Sequence, residues 1–236
     1  MSLNFRSMFV LAVAAILLGG CATPVQQRID LADSYFLSGK AKEGKVGVVM
    51  VELPKPDTAF PGANCLLCLG VANGMHSALN KEVQAFSTAE LKPLPYDVVS
   101  LLKKRGLDAV LIDEPLKIDA LPDLNADDTV NKSRKNFTSL KAKYNIDRLL
   151  VVHFTALGVW RSYSAYVPTD LPKAVVVGNA SLIDLATHSL EWYLPVTISR
   201  AADGDWDEPP KFPGLTNAYY QVLETGMDVI KKPFVR

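Results

Sequence analysis

The sequence predicts an α/β sandwich, in which helices pack on a mixed β-sheet of about five strands. Two observations lead to this class. The first half alternates short β-branched runs with segments whose apolar residues recur at helical spacing. The second half holds long apolar strands around a tight turn, a pattern typical of an antiparallel hairpin. Together they give the order β-α-α-β-α-β-β-β-α, with a mixed sheet rather than a purely parallel one.

The predicted strands are apolar or β-branched runs bounded by glycine, proline or polar residues. They cover residues 45–53, 108–115, 148–160, 173–185 and 190–199. His153 lies inside the third of these runs, and we interpret it as a core histidine.

The predicted helices have apolar residues three and four positions apart. They cover a short stretch after Pro24, then residues 71–86, 96–104, 130–144 and 215–230. Gly106 is placed to end the third helix. The segments 115–129 and 203–213 are rich in proline and aspartate and are predicted to be loops.

The N-terminus has the composition of a secretory signal. One positive charge, Arg6, precedes an apolar run from Met8 to Leu18, and Gly19-Gly20-Cys21 follows. The run is about 11 residues long, well short of the roughly 20 that span a bilayer. We therefore predict that residues 1–20 are removed, with an ordinary signal peptide and a coincidental cysteine as the alternative.

The Leu18-Gly-Gly-Cys21 sequence resembles the lipobox of bacterial lipoproteins. That resemblance implies cleavage before Cys21, acylation of Cys21 and anchoring to a membrane through several acyl chains. The next residue is Ala22 rather than aspartate. In a Gram-negative host this implies the periplasmic face of the outer membrane.

Cleavage would leave residues 21–44 as a lipidated N-terminus with a short linker or helix, and residues 45–236 as a single α/β domain. Arg6 leaves with the signal, so 24 basic residues face 25 acidic ones and the formal charge is −1. A basic footprint of the kind that nucleic-acid binders carry is missing, so we predict no nucleic-acid partner.

Two cysteines remain in Cys65-Leu-Leu-Cys68. In an oxidising compartment such a pair is expected to form a structural disulfide or to stay inert. A thioredoxin-like redox motif is the second interpretation, although a proline-rich loop precedes the pair where that motif needs a strand. A metal site is the third, but the three histidines are not in a paired spacing.

The segment from Asn179 to Tyr193 resembles the hairpin of CsgG-like lipoproteins and of the related N-terminal domain of TolB. Asp184, Thr187 and Trp192 fall on that pattern, and His188 stands where a glycine is usual. The resemblance implies an α/β domain that serves binding or assembly rather than catalysis. The chain lacks the membrane-inserting hairpins of the curli pore, so pore formation is not carried over.

Other chemical motifs are missing. The sequence has no nucleophile elbow, phosphate loop or His-Glu-x-x-His. The acidic segments 123–127 and 203–207 alternate oxygen ligands but lack the glycine and glutamate of an EF-hand. We expect no enzyme activity, no cofactor and no metal.

A set of aromatic and arginine side chains lies between two predicted strands: Trp160, Arg161, Tyr163 and Tyr166. These residue types are enriched in protein interfaces. The sequence therefore favours a non-enzymatic envelope assembly or accessory factor that binds a partner protein there. The alternatives are that Trp160 and Tyr163 pack in the core, and that the chain is an envelope thiol-disulfide redox protein using Cys65 and Cys68. The partner and the oligomeric state are not encoded in any motif.

Overall fold

The computed structural model describes residues 26–124 and 130–235. The predicted signal peptide and the predicted lipidation site Cys21 lie outside the described residues. So do Asn125 and Asp127, two of the three oxygen ligands considered in the first acidic segment.

The described chain forms a six-stranded mixed sheet, which confirms the predicted fold class. The main strand order is β3-β1-β4-β7-β8, and the short β2 pairs with β4. β1 runs parallel to β3 and β4, whereas β4, β7 and β8 are antiparallel neighbours. The strands are β1 (Lys45–Val51), β2 (Asp57–Ala59), β3 (Asp108–Leu116), β4 (Arg148–Trp160), β7 (Lys173–Asp184) and β8 (Leu190–Ala201), with a separate two-stranded ribbon of β5 (Tyr163–Ser164) and β6 (Val167–Pro168).

Helices cover both faces of this sheet. They are α1 (Asp33–Leu37), α2 (Gly39–Lys42), α3 (Leu66–Met75), α4 (Ser77–Val83), α5 (Leu94–Lys104), α6 (Thr138–Tyr144) and α7 (Pro213–Lys231). Short 3-10 turns lie at Ala89–Leu91, Ile118–Ala120 and Lys232–Phe234.

Alternation along the strands divides the core into two layers. Leu150 belongs to the large cluster under α5 and α7, whereas its neighbours Leu149 and Val151 belong to a smaller cluster that includes Leu140 of α6. Strands buried on both faces read as continuous apolar runs, which is how β1 and β4 were recognisable in the sequence.

The β7–β8 turn shows how the hairpin pattern works. Asp184 Oδ1 accepts hydrogen bonds from the backbone N–H groups of Ala186 and Thr187, at 2.9 and 3.1 Å. His188 has a φ of 59°, the conformation for which glycine is usual. Trp192 is buried against Phe234, with ring centroids 5.2 Å apart. The Asp-Thr-Trp pattern is therefore explained by turn geometry and packing.

Residues 130–144 were predicted to be one helix, and this prediction is wrong for the first half. Only Thr138–Tyr144 is helical. Asn131 has a φ of 60°, its carbonyl accepts the Leu190 N–H, and Ser133 N–H donates to the His188 carbonyl. Long-range pairing with the β7–β8 turn takes the backbone groups that a helix would need.

The segment 71–86 differs from its prediction too. Its first helix begins earlier, at Leu66, and the chain breaks at His76 before α4. The N-terminal helix begins only at Asp33, because the preceding segment is extended and Ile29 exchanges two backbone hydrogen bonds with Tyr193 of β8. Phe36 of α1 is buried in the main cluster, so this region packs on the domain.

Candidate docking surface

Helix α3 lies on the surface with most of its apolar side chains in solvent. We define the α3 patch as Leu66, Leu67, Leu69, Val71 and Met75. Leu66 is 92% exposed, Leu67 is 67% exposed and Met75 is 60% exposed. Several exposed apolar side chains on one helix mark an interaction site more often than a solitary exposed leucine does.

The N-terminus of α3 is closed by the cysteine pair. Cys65 and Cys68 form a disulfide. Cys65 is also the N-cap, and its Sγ accepts a hydrogen bond from the Cys68 N–H at 2.9 Å. Cys65 is exposed, whereas Cys68 and Ala72 are buried on the inner side of the helix. The disulfide holds the first turn of a helix that has little packing of its own.

The structure brings the aromatic segment to this helix. Tyr166, at the tip of the β5–β6 ribbon, places its hydroxyl 3.8 Å from Cys65 Sγ although the two residues are 101 positions apart. Tyr166 is half-exposed, and Val167 beside it is exposed. The cysteine pair and the aromatic tip, two separate predictions, therefore occupy one surface.

Tyr163 lies inside this region rather than on it. Its side chain is 5% exposed and packs edge-on against Phe60, with centroids 5.7 Å apart. It shares a small apolar cluster with Cys68 and Ala72. Tyr163 thus supports α3 from below and offers little area to a partner.

His76, at the break between α3 and α4, connects this cluster to the rest of the domain. Its Nε2 lies 2.8 Å from the Tyr163 hydroxyl and 3.2 Å from Nη1 of Arg161. A guanidinium only donates, so Nε2 accepts and the imidazole carries its proton on Nδ1. Burial, and then the positive charge of Arg161, lower the pKa of His76.

Arg161 and Trp160 have structural contacts as well. The Arg161 guanidinium lies over the Trp206 ring, 5.2 Å from its centroid, and Nε donates to the Asp170 carbonyl at 2.9 Å. Trp160 ends β4, where it pairs with Ala59 and Lys173. Both side chains are partly buried, so of the four predicted partner-binding residues Tyr166 is the one that borders the α3 patch in solvent.

The α3 leucines were not singled out from the sequence, but a signal for them was present. Residues 58–80 contain no Lys, Arg, Asp or Glu, in a chain that is 21% charged. A charge-free run is normally buried. This run is partly exposed, because α3 packs against the domain only through the side that carries Cys68 and Ala72.

Within residues 26–124 and 130–235, no group of three or more His, Cys, Asp or Glu side chains is placed to hold a metal ion. No helix of those same residues has the length and apolar character needed to cross a membrane.

Comparisons with known proteins give distant structural likenesses. One is to a PelC dodecamer from Paraburkholderia phytofirmans, at 12% identity over 89% of this chain and 96% of that chain, with a TM-score of 0.32. A neuraminyllactose-binding hemagglutinin homolog from Helicobacter pylori shares 12% identity over 86% and 91% of the two chains, with a TM-score of 0.35. The lipoprotein GNA1162 from Neisseria meningitidis shares 16% over 77% and 95%, with a TM-score of 0.25.

No protein-family model and no curated protein matches the sequence. The resemblance to CsgG-like lipoproteins stays a prediction from the hairpin residues.

Proposed function

We propose that this protein is a non-enzymatic lipoprotein of the cell envelope, anchored through Cys21, that binds a partner protein through the α3 patch. The observation that carries the proposal is the exposure of apolar side chains along a disulfide-capped helix, bordered by Tyr166. The partner is expected to present an apolar groove without matching charges, because residues 58–80 offer none.

The patch has the character of a protein-binding surface rather than a membrane-binding one. Helices that lie in a bilayer interface combine an apolar face with a strongly charged one, usually rich in Lys and Arg. Helix α3 has no charged residue on any side. An uncharged apolar helix with an aromatic neighbour is closer to the core of a protein interface.

The position of the patch supports the same conclusion. The first described residues pair with the sheet at Tyr193 of β8. Tyr193 pairs with Ser181 of β7, which in turn pairs with Val151 of β4, so these three residues lie at the same height in the sheet. The α3 region is attached at the other end of β4, where β2 pairs with Trp160. Nine residues of strand separate the two levels, or about 30 Å. A patch at that end faces away from a membrane that holds the N-terminus.

Site-specific photo-cross-linking in the native envelope tests the docking surface. A photo-reactive phenylalanine analogue replaces Leu67 or Met75, and Tyr96 of α5, which is also half-exposed, is the control position. We expect a discrete protein adduct from the two α3 positions and none from position 96. Adding Leu66→Glu should abolish the adduct, whereas Leu37→Glu, at a leucine of α1 that is 75% exposed, should leave it unchanged.

Three results would contradict the docking proposal: adducts with lipid alone, adducts with a second copy of this chain, or the same adduct from position 96. The anchor has its own test. Mass spectrometry of the native protein should show an acylated N-terminal Cys21, and an unmodified terminus would remove the proposed location.

A second candidate function is thiol-disulfide exchange by Cys65 and Cys68. The observation that favours it is the placement of the pair at the start of α3, with Cys65 exposed and Cys68 buried. A helix N-terminus stabilises a thiolate, and the outer cysteine is the one that a substrate could reach. From the oxidised pair of the structure, the step would be attack of a substrate thiolate on Cys65 Sγ, which breaks the Cys65–Cys68 bond and releases the Cys68 thiolate. A second thiolate of the substrate would then displace Cys65, which leaves the pair reduced and the substrate with a disulfide.

Equilibration with glutathione buffers distinguishes this candidate from a structural disulfide. A redox protein should exchange at a potential in the range of known oxidoreductases, roughly −120 to −270 mV. Cys68→Ala should then trap a mixed disulfide through Cys65. A pair that stays oxidised below that range, or a variant that traps nothing, would reject the redox candidate.

A further inference from the structure

A second concave site lies on the opposite half of the sheet from the α3 patch. It is a cavity of about 1020 Å³, at the upper end of the range for small-molecule sites. Its floor is the α6-side face of β4, β7 and β8, and its walls come from the N-terminal segment and the 130–135 loop. Gln26 holds the two walls together through hydrogen bonds with Asn131, one to its side chain and one from its backbone N–H.

The floor of this cavity carries a row of polar side chains from neighbouring strands. His153 pairs with Asn179 across β4 and β7, and Ser181 pairs with Tyr193 across β7 and β8. All four line the cavity. The core histidine predicted at position 153 is therefore a half-buried residue of a cavity floor.

These side chains have no protein partner in the described chain. Within residues 26–124 and 130–235, none of the side chains of His153, Asn179, Ser181 and Tyr193 makes a hydrogen bond, although Ser181 is only 6% exposed. None of their polar atoms is among the fully buried, unpartnered atoms of the described residues, so these groups are open to the cavity and available to hydrogen-bond a ligand that enters it. Burial lowers the pKa of His153, so its imidazole is neutral and offers one donor and one acceptor.

The rim adds positive charge. Lys132 and Arg134 line the cavity and are exposed, and neither has an acidic partner among the described residues. Lys135 differs, because its Nζ is 2.9 Å from Asp123. Asp119 is the one carboxylate among the described lining residues, and its charge acts on His153 of the floor, where it opposes the effect of burial on the pKa of that histidine.

We propose that this cavity binds an acidic saccharide. Neutral amides, hydroxyls and an imidazole can both donate to and accept from sugar hydroxyls. The Tyr193 ring supplies a flat apolar surface for a sugar ring, and the two rim cations pair with its carboxylate. A peptide strand suits the site less well, since the floor presents side chains and Ile29 already pairs with the β8 edge at Tyr193.

The test is calorimetric titration of the full-length protein in zwitterionic nanodiscs. The probes are tetragalacturonic acid, the neutral maltotetraose and inorganic phosphate. The acidic sugar should bind, with the neutral sugar and phosphate each weaker by about tenfold or more, because each lacks one of the two kinds of contact.

Variants then place the binding in the cavity. Ser181→Ala and Tyr193→Phe each remove one hydroxyl at nearly constant volume and should weaken binding roughly three- to tenfold. Lys132→Gln with Arg134→Gln should weaken it about tenfold and reduce its salt dependence. The matched control is Lys103→Gln with Lys104→Gln, two adjacent exposed lysines of α5, which should bind as the wild type does.

Several outcomes overturn the inference. They are no binding of tetragalacturonic acid, equal binding of inorganic phosphate, and equal weakening in the α5 control. Unchanged binding in both single-hydroxyl variants, with unfolding midpoints like the wild type, would also overturn it. None of these outcomes bears on the α3 patch, so the docking proposal is decided separately.

Discussion

The ion pair between Arg148 and Glu191 should be one of the most sensitive points of the fold. The two side chains are 5% and 8% exposed, and Nε of Arg148 lies 3.2 Å from the Glu191 carboxylate. The guanidinium also donates to the carbonyls of Ala41 and Glu43, each at 3.0 Å, and the Tyr35 hydroxyl donates to Glu191 at 2.8 Å. The two members of the ion pair therefore hold both N-terminal helices to the sheet, Glu191 through α1 and Arg148 through α2. Burial and Glu191 together raise the pKa of Tyr35.

Arg148→Met keeps most of the packing volume and removes the positive charge. It leaves a buried carboxylate without its partner and two backbone carbonyls without their donor. Breaking a buried pair on one side costs about 3–5 kcal/mol. For a domain of this size the corresponding fall in Tm is roughly 6–20 °C.

The double variant Arg148→Met/Glu191→Leu should be more stable than Arg148→Met alone by about 2 kcal/mol, because no charge is left buried. Urea unfolding followed by tryptophan fluorescence, to which buried Trp192 contributes, measures both variants. The control is Lys143→Met, which removes an equally close but exposed contact to Glu114 and should leave the midpoint unchanged. Equal midpoints for Arg148→Met and Lys143→Met, or a double variant no more stable than Arg148→Met, would refute the reasoning.

Two further predictions concern stability. The lowered pKa of His76 means that the unfolded state binds the proton more readily, so stability should fall as pH drops from 7.5 to 5.5 through the ordinary histidine range. His76→Asn should flatten that slope in urea midpoints, and an unchanged slope would show that His76 is not its source. Gly178→Ala would place Cβ 2.3 Å from the His153 carbonyl oxygen and should destabilise by about 1–3 kcal/mol. Gly74→Ala in α3 meets nothing within 4 Å and should stabilise by up to about 1 kcal/mol; equal thermal shifts for the two would contradict both assignments.

Strands were predictable from sequence because their burial is continuous. The β4 limits at Arg148 and Trp160 match the prediction, since thirteen residues of mostly apolar sequence leave little ambiguity. The three-residue β2 was not predicted, because three residues are too few to show a strand pattern in the sequence. It forms by pairing with the C-terminal end of β4. At Asn131 the error is the reverse, because an element was predicted that does not form. The local sequence favours a helix, but the backbone of Asn131 pairs with the distant β7–β8 turn instead.

The candidate site was predictable only in pieces. Cys65 and the aromatic segment each stood out by residue type, but their meeting depends on the β5–β6 ribbon folding back onto α3, and no local pattern encodes that contact. Tyr163 shows why residue type alone misleads. The same ring that suits an interface is taken up beneath the helix, against Phe60 and His76.

Because the backbone of Ile29 pairs with that of Tyr193, only a short segment of chain connects Cys21 to the domain. Gln26 comes five positions after Cys21, a distance of at most about 18 Å along a fully extended chain, whereas a domain of this size is roughly 40 Å across. With Cys21 acylated, the domain cannot rotate freely at the membrane, and one side of it stays against the lipid headgroups. The saccharide cavity beside Gln26 then opens within a few sugar lengths of those headgroups. Orientation at the bilayer would then depend on the backbone pairing of Ile29 with Tyr193 together with the two hydrogen bonds between Gln26 and Asn131.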